Sequence, residues 1–178
     1  LAGPAALLGA VSHLVVRGQI ISLAYASIII FVIMSFVFRS LVGGILATLP
    51  MSLSVLMIFG VLGNFGIPLN MTTSLLTCIL VGVGVDYSVH FLWHLREHIR
   101  EGDTLEDAIA NTMKVSGKGI LFNGISVVVG FSVLMYSVFM PLKAFSVLIM
   151  ASIAFCLIGG LAILPAMVSL IDPKFLSR

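Results

Sequence analysis

The sequence predicts an all-α polytopic membrane protein: five transmembrane helices and one short interfacial helix between the third and the fourth. Three observations predict it. Hydrophobic residues make up 60% of the 178 residues and charged residues 9%, with a mean hydropathy of +1.24. Soluble domains carry about 25% charged residues, so a water-soluble fold does not fit. The apolar residues gather into five runs, each near the roughly 20 residues that cross a hydrocarbon core. The polar residues collect between the runs, above all from His94 to Lys118.

Residues 1–18 are mixed in character. Leu7, Leu8, Val11, Leu14 and Val15 recur at helical spacing, so the segment reads as a short amphipathic helix, the tail of a preceding domain. The transmembrane unit covers 19–172. Its first span is 20–38, uncharged and closed by Arg39, with Tyr25 placed for the headgroup level. The second, 41–62, contains Pro50, which removes one helical hydrogen bond and predicts a kink. An uncharged loop, Gly63 to Asn70, leads to the third span, 71–93. After it, Thr104 with Asp107 reads as a helix N-cap, and Leu105, Ala108, Ile109 and Met113 follow at helical spacing. That pattern predicts a helix lying along the membrane surface. The fourth span is 119–139. Met140 to Lys143 make a tight turn, the fifth span is 144–171, and 173–178 form a tail.

Basic residues set the orientation. Arg39, Arg96, Arg100, Lys114, Lys118, Lys174 and Arg178 share one side; only Arg17 and Lys143 lie on the other. Positive-inside places the N-terminus outside and the C-terminus in the cytoplasm, in a cell (cytoplasmic, inner) membrane. The basic residues flank apolar runs and form no patch, so nucleic-acid binding has no support. Cys78 and Cys156 fall within apolar runs and read as small packing residues, with no disulfide framework, metal site or cofactor implied.

One residue breaks the apolar pattern. Asp86 is the only acid inside any of the runs. An ionised Asp at the bilayer centre costs roughly 2.5–3.5 kcal/mol on insertion scales, and such residues face the bundle interior and are functional by default. Asp86 is therefore either a proton or ion site or a hydrogen-bonding anchor, buried among the helices. His90, one turn on, either shares a proton with it or marks the membrane interface. Tyr87 points about 100° away and meets another neighbour. Asn123, early in the fourth span, is placed to hydrogen-bond across the bundle towards Asp86.

Small residues suggest how the helices meet. Ser74, Cys78, Gly82, Asp86 and His90 fall four apart, a ridge that winds by roughly 40° per step. Gly84 stands beside it. Ser152, Cys156 and Gly160 form a similar row in the fifth span, Ser126 and Gly130 a shorter one in the fourth. Close helix packing is the expected role of both glycines and of these rows.

Enzyme readings fail on residue count. An intramembrane aspartyl protease needs two carboxylates sharing one site, and Gly82-x-Gly84-x-Asp86 is not the Gly-x-Gly-Asp pattern of presenilin-like proteases. No Gly-x-Ser-Gly stretch is present for a serine protease. Gly82-x-Gly84 lacks the strand–helix context of a dinucleotide fingerprint.

The ordered motifs resemble those of RND-superfamily permeases, the MMPL-type hydrophobe exporters in particular. Val81-Gly82-Val83-Gly84-Val85-Asp86-Tyr87-Ser88-Val89-His90-Phe91 is similar to the family's fourth/tenth-helix motif. Phe38-Arg39-Ser40, Phe65-Gly66-Ile67-Pro68-Leu69-Asn70, Glu106-Asp107-Ala108-Ile109, Gly130-Phe131, Phe139 to Phe145 and Leu164-Pro165-Ala166 complete the series. Ser146 departs from it, standing where Gly is common. The resemblance implies the last five helices of one permease half, more like the second, after an extracytoplasmic porter domain. It implies a proton-relay role for Asp86 with Tyr87 beside it, and the other half of the permease as partner. It also implies a lipid or other hydrophobic substrate, and a homo-oligomer is compatible with it. Sterol-sensing domains, as in Patched-like proteins, and SecDF-like export subunits share the five-helix unit. A lipid-sensing module and a protein-export subunit are therefore the alternatives.

Overall fold

The computed structural model describes residues 4–67 and 71–171, which are helical throughout apart from short turns. Loop residues 68–70 and the expected tail 173–178 lie outside the described residues. Seven α-helices follow in order: α1 (Pro4–Val37), α2 (Leu41–Asn64), α3 (Met71–Glu101), α4 (Leu105–Thr112), α5 (Lys118–Ser132), α6 (Met140–Ile158) and α7 (Leu164–Ile171). A π turn, Met113–Gly117, joins α4 to α5; a second, Gly159–Ile163, joins α6 to α7; a 3-10 turn, Val133–Tyr136, ends α5.

Five stretches are long and apolar enough to cross a membrane: Leu14–Val37, Leu41–Asn64, Thr73–Glu101, Leu105–Tyr136 and Met140–Ile171. The five-span reading therefore stands, and four boundaries differ from expectation. The amphipathic segment does not form a helix of its own, because α1 is one uninterrupted helix from Pro4. Nothing between Arg17 and Gln19 breaks it, and a single Gly18 is tolerated in a long helix. Likewise α3 runs to Glu101, two turns past the apolar run, through residues that are polar and still good helix formers. It stops at Gly102, whose φ of +104° suits a residue without a side chain.

The third difference concerns the short helix. Thr104 caps it as expected: its Oγ1 accepts from the Asp107 N–H at 3.3 Å and donates to Asp107 Oδ2 at 2.7 Å. Yet α4 is continuous with the fourth span. Thr112, Met113, Gly117 and Lys118 keep right-handed helical dihedrals, so the extra residue of the π turn is absorbed without a break. In the fifth span the helix already begins at Met140, with Pro141 in its first turn, where a missing N–H costs nothing.

Helices α2, α3 and α6 form the centre; α1 flanks α2, and α5 flanks α6. α2 is buried along its length, including Gly44, Leu46, Ala47, Met51, Ser54, Val55, Ile58 and Leu62. It runs through Pro50, whose carbonyl accepts from Ser54 Oγ at 2.8 Å. Ser40 starts it by accepting from the Gly43 N–H at 3.4 Å. The preceding Arg39, at φ +50°, turns the chain out of α1. Ser146 is fully buried and its Oγ donates to the Phe131 carbonyl at 2.6 Å. With the edge-on pair Phe131–Phe145, ring centres 6.1 Å apart, it ties α6 to α5. Much of the outer surface is apolar, Ile28, Ile29, Val32, Phe36, Phe122 and Val129 among it, as lipid requires.

Candidate functional site: an outward carboxylate on the central helix

The inner stripe of α3 is Thr73, Leu76, Thr77, Leu80, Gly84, Tyr87, Ser88, Phe91, Leu92 and Leu95, all buried. It repeats at three and four residues, the spacing of a helix face. Apolar content does not mark it, since almost everything in the span is apolar. Close backbone approach marks it at Gly84. A β-carbon on Gly84 would stand 3.2 Å from the Met51 Cα, and one on Gly160 would stand 3.3 Å from the Tyr87 Cβ. One on Gly159 would meet Pro50 Cβ at 3.2 Å and Pro50 O at 3.3 Å. The second π turn therefore sits where α6 crosses both α2 and α3. π turns recur at functional sites.

The fifth-span row faces inward. Ser152 is buried, with its Oγ on the Leu148 carbonyl at 2.7 Å, and Cys156 Sγ lies 3.9 Å from the Leu80 carbonyl. The third-span ridge does the opposite. Cys78, Gly82, Asp86 and His90 are exposed on the outer side of α3, and nothing lies within 4 Å of a β-carbon on Gly82. Gly84, one residue pair along, is the packing glycine within this chain; Gly82 packs on nothing in it. Ser126 and Gly130 are exposed too. The tight contact of that span is made by Gly124 against the flexible tip of Leu157, which its spacing from the other small residues does not single out.

Asp86 is thus not buried among the helices of this chain. The side chain is 56% exposed, because the ridge that carries it is offset from the inner stripe by about one residue, or 100°. His90 Nε2 lies 3.4 Å from Asp86 Oδ1, across one helical turn. A cavity of about 330 Å³ beside them is lined by Asp86, Tyr87, His90, His94, Val115, Ser116, Gly119, Ile120 and Asn123. Asn123 shares that lining but is not hydrogen-bonded to Asp86. Tyr87, 2% exposed, turns the other way, its Cβ against Gly160. Its hydroxyl is buried without a hydrogen-bond partner, as is that of Ser116.

Sequence reasoning missed His94, Ser116 and Gly119. The signal for His94 was present, four residues beyond His90. Ser116 lies in the π turn and Gly119 just after it, at the start of the fourth span. No cluster among the described residues has the His, Cys, Asp or Glu composition to hold a metal ion. The arrangement offers a titratable carboxyl, an imidazole within reach, and a polar recess open to whatever covers the face.

The MMPL family profile matches residues 1–176. Among curated relatives, the membrane protein MJ1562 of Methanocaldococcus jannaschii is 27% identical over 139 residues, 78% of this chain and 36% of that one. The trehalose monomycolate exporter MmpL3 of Mycolicibacterium smegmatis is 25% identical over 164 residues, 89% of this chain and 16% of that one. The chain spans well under half the length of either relative. Among solved structures, the translocon-associated membrane protein SecDF of Thermus thermophilus superposes with a TM-score of 0.78 at 18% identity, over 92% of this chain and 22% of that one. That likeness shows the fold. Five apolar spans and a profile match along nearly the whole sequence lead to one conclusion: this multi-pass membrane protein belongs to the MMPL family.

Proposed function

We propose that this chain is the C-terminal transmembrane half of a proton-driven exporter of lipids or other hydrophobic molecules, with Asp86 as the group that takes and releases the proton. One observation carries the reading: the only acid inside the apolar runs of the sequence faces away from its own bundle, with His90 3.4 Å off and a cavity beside it. A carboxylate at membrane depth needs a protein surface or water against it. The other half of the permease supplies that cover. One relative bears the name of an exporter, which supports export over sensing.

In this reading the N-terminus lies outside and the polar end of α3 lies in the cytoplasm. Protonation of Asp86 from outside removes a charge at the seam between the halves and lets them repack. Release inward restores the charge and reverses the shift. The membrane potential supplies about 2.3 kcal/mol per charge per 100 mV, enough to bias such a two-state element. Tyr87 joins α3 to the π turn of α6, so a change at Asp86 reaches the helix crossing through the adjacent residue.

The test is Asp86→Asn in the complete transporter. Export of a hydrophobic dye from energised vesicles is expected to stop while membrane expression is kept. Unaltered export would remove the proposal. Saturable lipid binding indifferent to a proton gradient would favour the sensing alternative. A secretion defect without a lipid phenotype would favour the SecDF-like one, whose support is the shared fold.

A further inference from the structure

We propose that His90, His94 and His98 form a proton ladder between Asp86 and the polar end of α3, with His94 and His98 the rungs that connect the carboxyl to bulk water. The inference rests on the proton-carrying role proposed for Asp86 and goes beyond it by assigning the route.

The four residues fall four apart on one helix, so each step rises about 6 Å, a gap that one water molecule bridges. Along that winding ridge each ring has a nitrogen facing a carboxylate. His90 Nε2 faces Asp86 Oδ1 at 3.4 Å. His94 Nδ1 faces Glu97 Oε2 at 3.2 Å. His98 Nδ1 faces Glu101 Oε2 at 3.5 Å and Asp103 Oδ2 at 3.6 Å. Asp103 is itself held by the Asn111 amide, which donates to its Oδ2 at 3.0 Å. The last rung is therefore fixed from the loop and from α4 as well as from its own helix.

The upper rungs share the cavity. Its walls from the π turn and α5 are Val115, Ser116, Gly119, Ile120 and Asn123, none of them ionisable. No lysine or arginine lines it to repel an imidazolium, and the unpartnered Ser116 hydroxyl is available to orient water there. Imidazole exchanges protons near neutral pH, one nitrogen accepting while the other donates.

The steps balance as follows. The Asp86 carboxyl gives its proton to His90 Nε2, leaving a carboxylate beside an imidazolium. His90 releases its Nδ1 proton through water to His94 Nε2. His94 passes a proton on by way of Nδ1 and Glu97 to His98, which delivers it beside Glu101 and Asp103 to bulk water. Each ring ends neutral and regains its starting tautomer by turning over. Net, one proton leaves Asp86 and one appears at the end of α3.

The experiment follows the Asp86 carboxyl by time-resolved infrared after a pH jump on the polar-loop side of vesicles holding the complete transporter. The carboxyl band is assigned by its loss in Asp86→Asn. In His94→Gln combined with His98→Gln, equilibration of that band is expected to slow on the order of a hundredfold, and added free imidazole to restore it. Wild-type rates in the double variant, or slowing that imidazole does not relieve, would overturn the ladder and leave the role of Asp86 standing. Titration at Asp86 that proves absent would instead sink the underlying reading. Should the double variant fail to assemble, His98→Gln alone, at the end of the helix, gives the same two readings.

Discussion

Gly84 of α3 lies directly against Met51 of α2: a β-carbon on the glycine would stand 3.2 Å from both the Cα and the Cβ of Met51. Two central helices meet there backbone to side chain, with no slack. Gly84→Val is therefore expected to destabilise the bundle by about 1–3 kcal/mol through overpacking, seen as a lowered Tm in detergent. Gly82→Val, two residues away and facing open space, is expected to leave Tm unchanged. Equal Tm values for the two variants would show that α2 and α3 meet in another register.

Tyr87 separates packing from chemistry. Its ring is buried, while its hydroxyl makes no hydrogen bond among the described residues. Tyr87→Phe thus loses no bonded partner and is expected to keep the wild-type Tm. Tyr87→Ala empties a packed site and is expected to cost about 3–5 kcal/mol. Under the proton-relay reading, Tyr87→Phe lowers export at unchanged stability. Export at the wild-type rate would confine Tyr87 to a packing role.

Ser146 occupies a site that admits only a small side chain. The site is fully buried and the hydroxyl donates to the Phe131 carbonyl at 2.6 Å. Ser146→Ala is expected to cost about 1 kcal/mol for the lost bond. Hydrogen exchange should rise at the end of α5. Ser146→Leu is expected to cost more, because the larger side chain must push α6 off α5.

Thr104 provides a check on the polar segment. It caps α4 through the Asp107 N–H, so Thr104→Ala is expected to cost about 1 kcal/mol of local helix stability. Faster amide exchange over Leu105–Ala108 would report it, and Thr104→Ser should restore protection. Unchanged exchange in Thr104→Ala would mean that the π turn, not the cap, holds this helix.

Much of the fold was legible because lipid imposes one rule: apolar runs of spanning length become helices. That rule located five spans, and the Thr104 cap follows ordinary polar chemistry. Helix ends were less legible. Residues such as Arg96 and Glu97 suit a helix as well as a loop, so loss of hydropathy after Trp93 ends the apolar run without ending α3. The join of α4 to α5 was hidden for the same reason. The facing of Asp86 was illegible on principle. Charge at membrane depth implies a covered site, but the sequence of one chain does not say whether the cover comes from its own helices. The small residues Thr73, Thr77, Gly84 and Ser88 held the better clue, since they trace the inner stripe and leave Asp86 off it.

An outward carboxyl changes what association means for this molecule. Any surface that closes over Asp86 meets either an acid or its conjugate base, and a medium of low polarity discriminates between them strongly. Linkage runs both ways, so contact that prefers one form must shift the acidity of the group by the same free energy. Docking and titration are then a single equilibrium, and the cohesion of that seam becomes a quantity that solvent acidity can set.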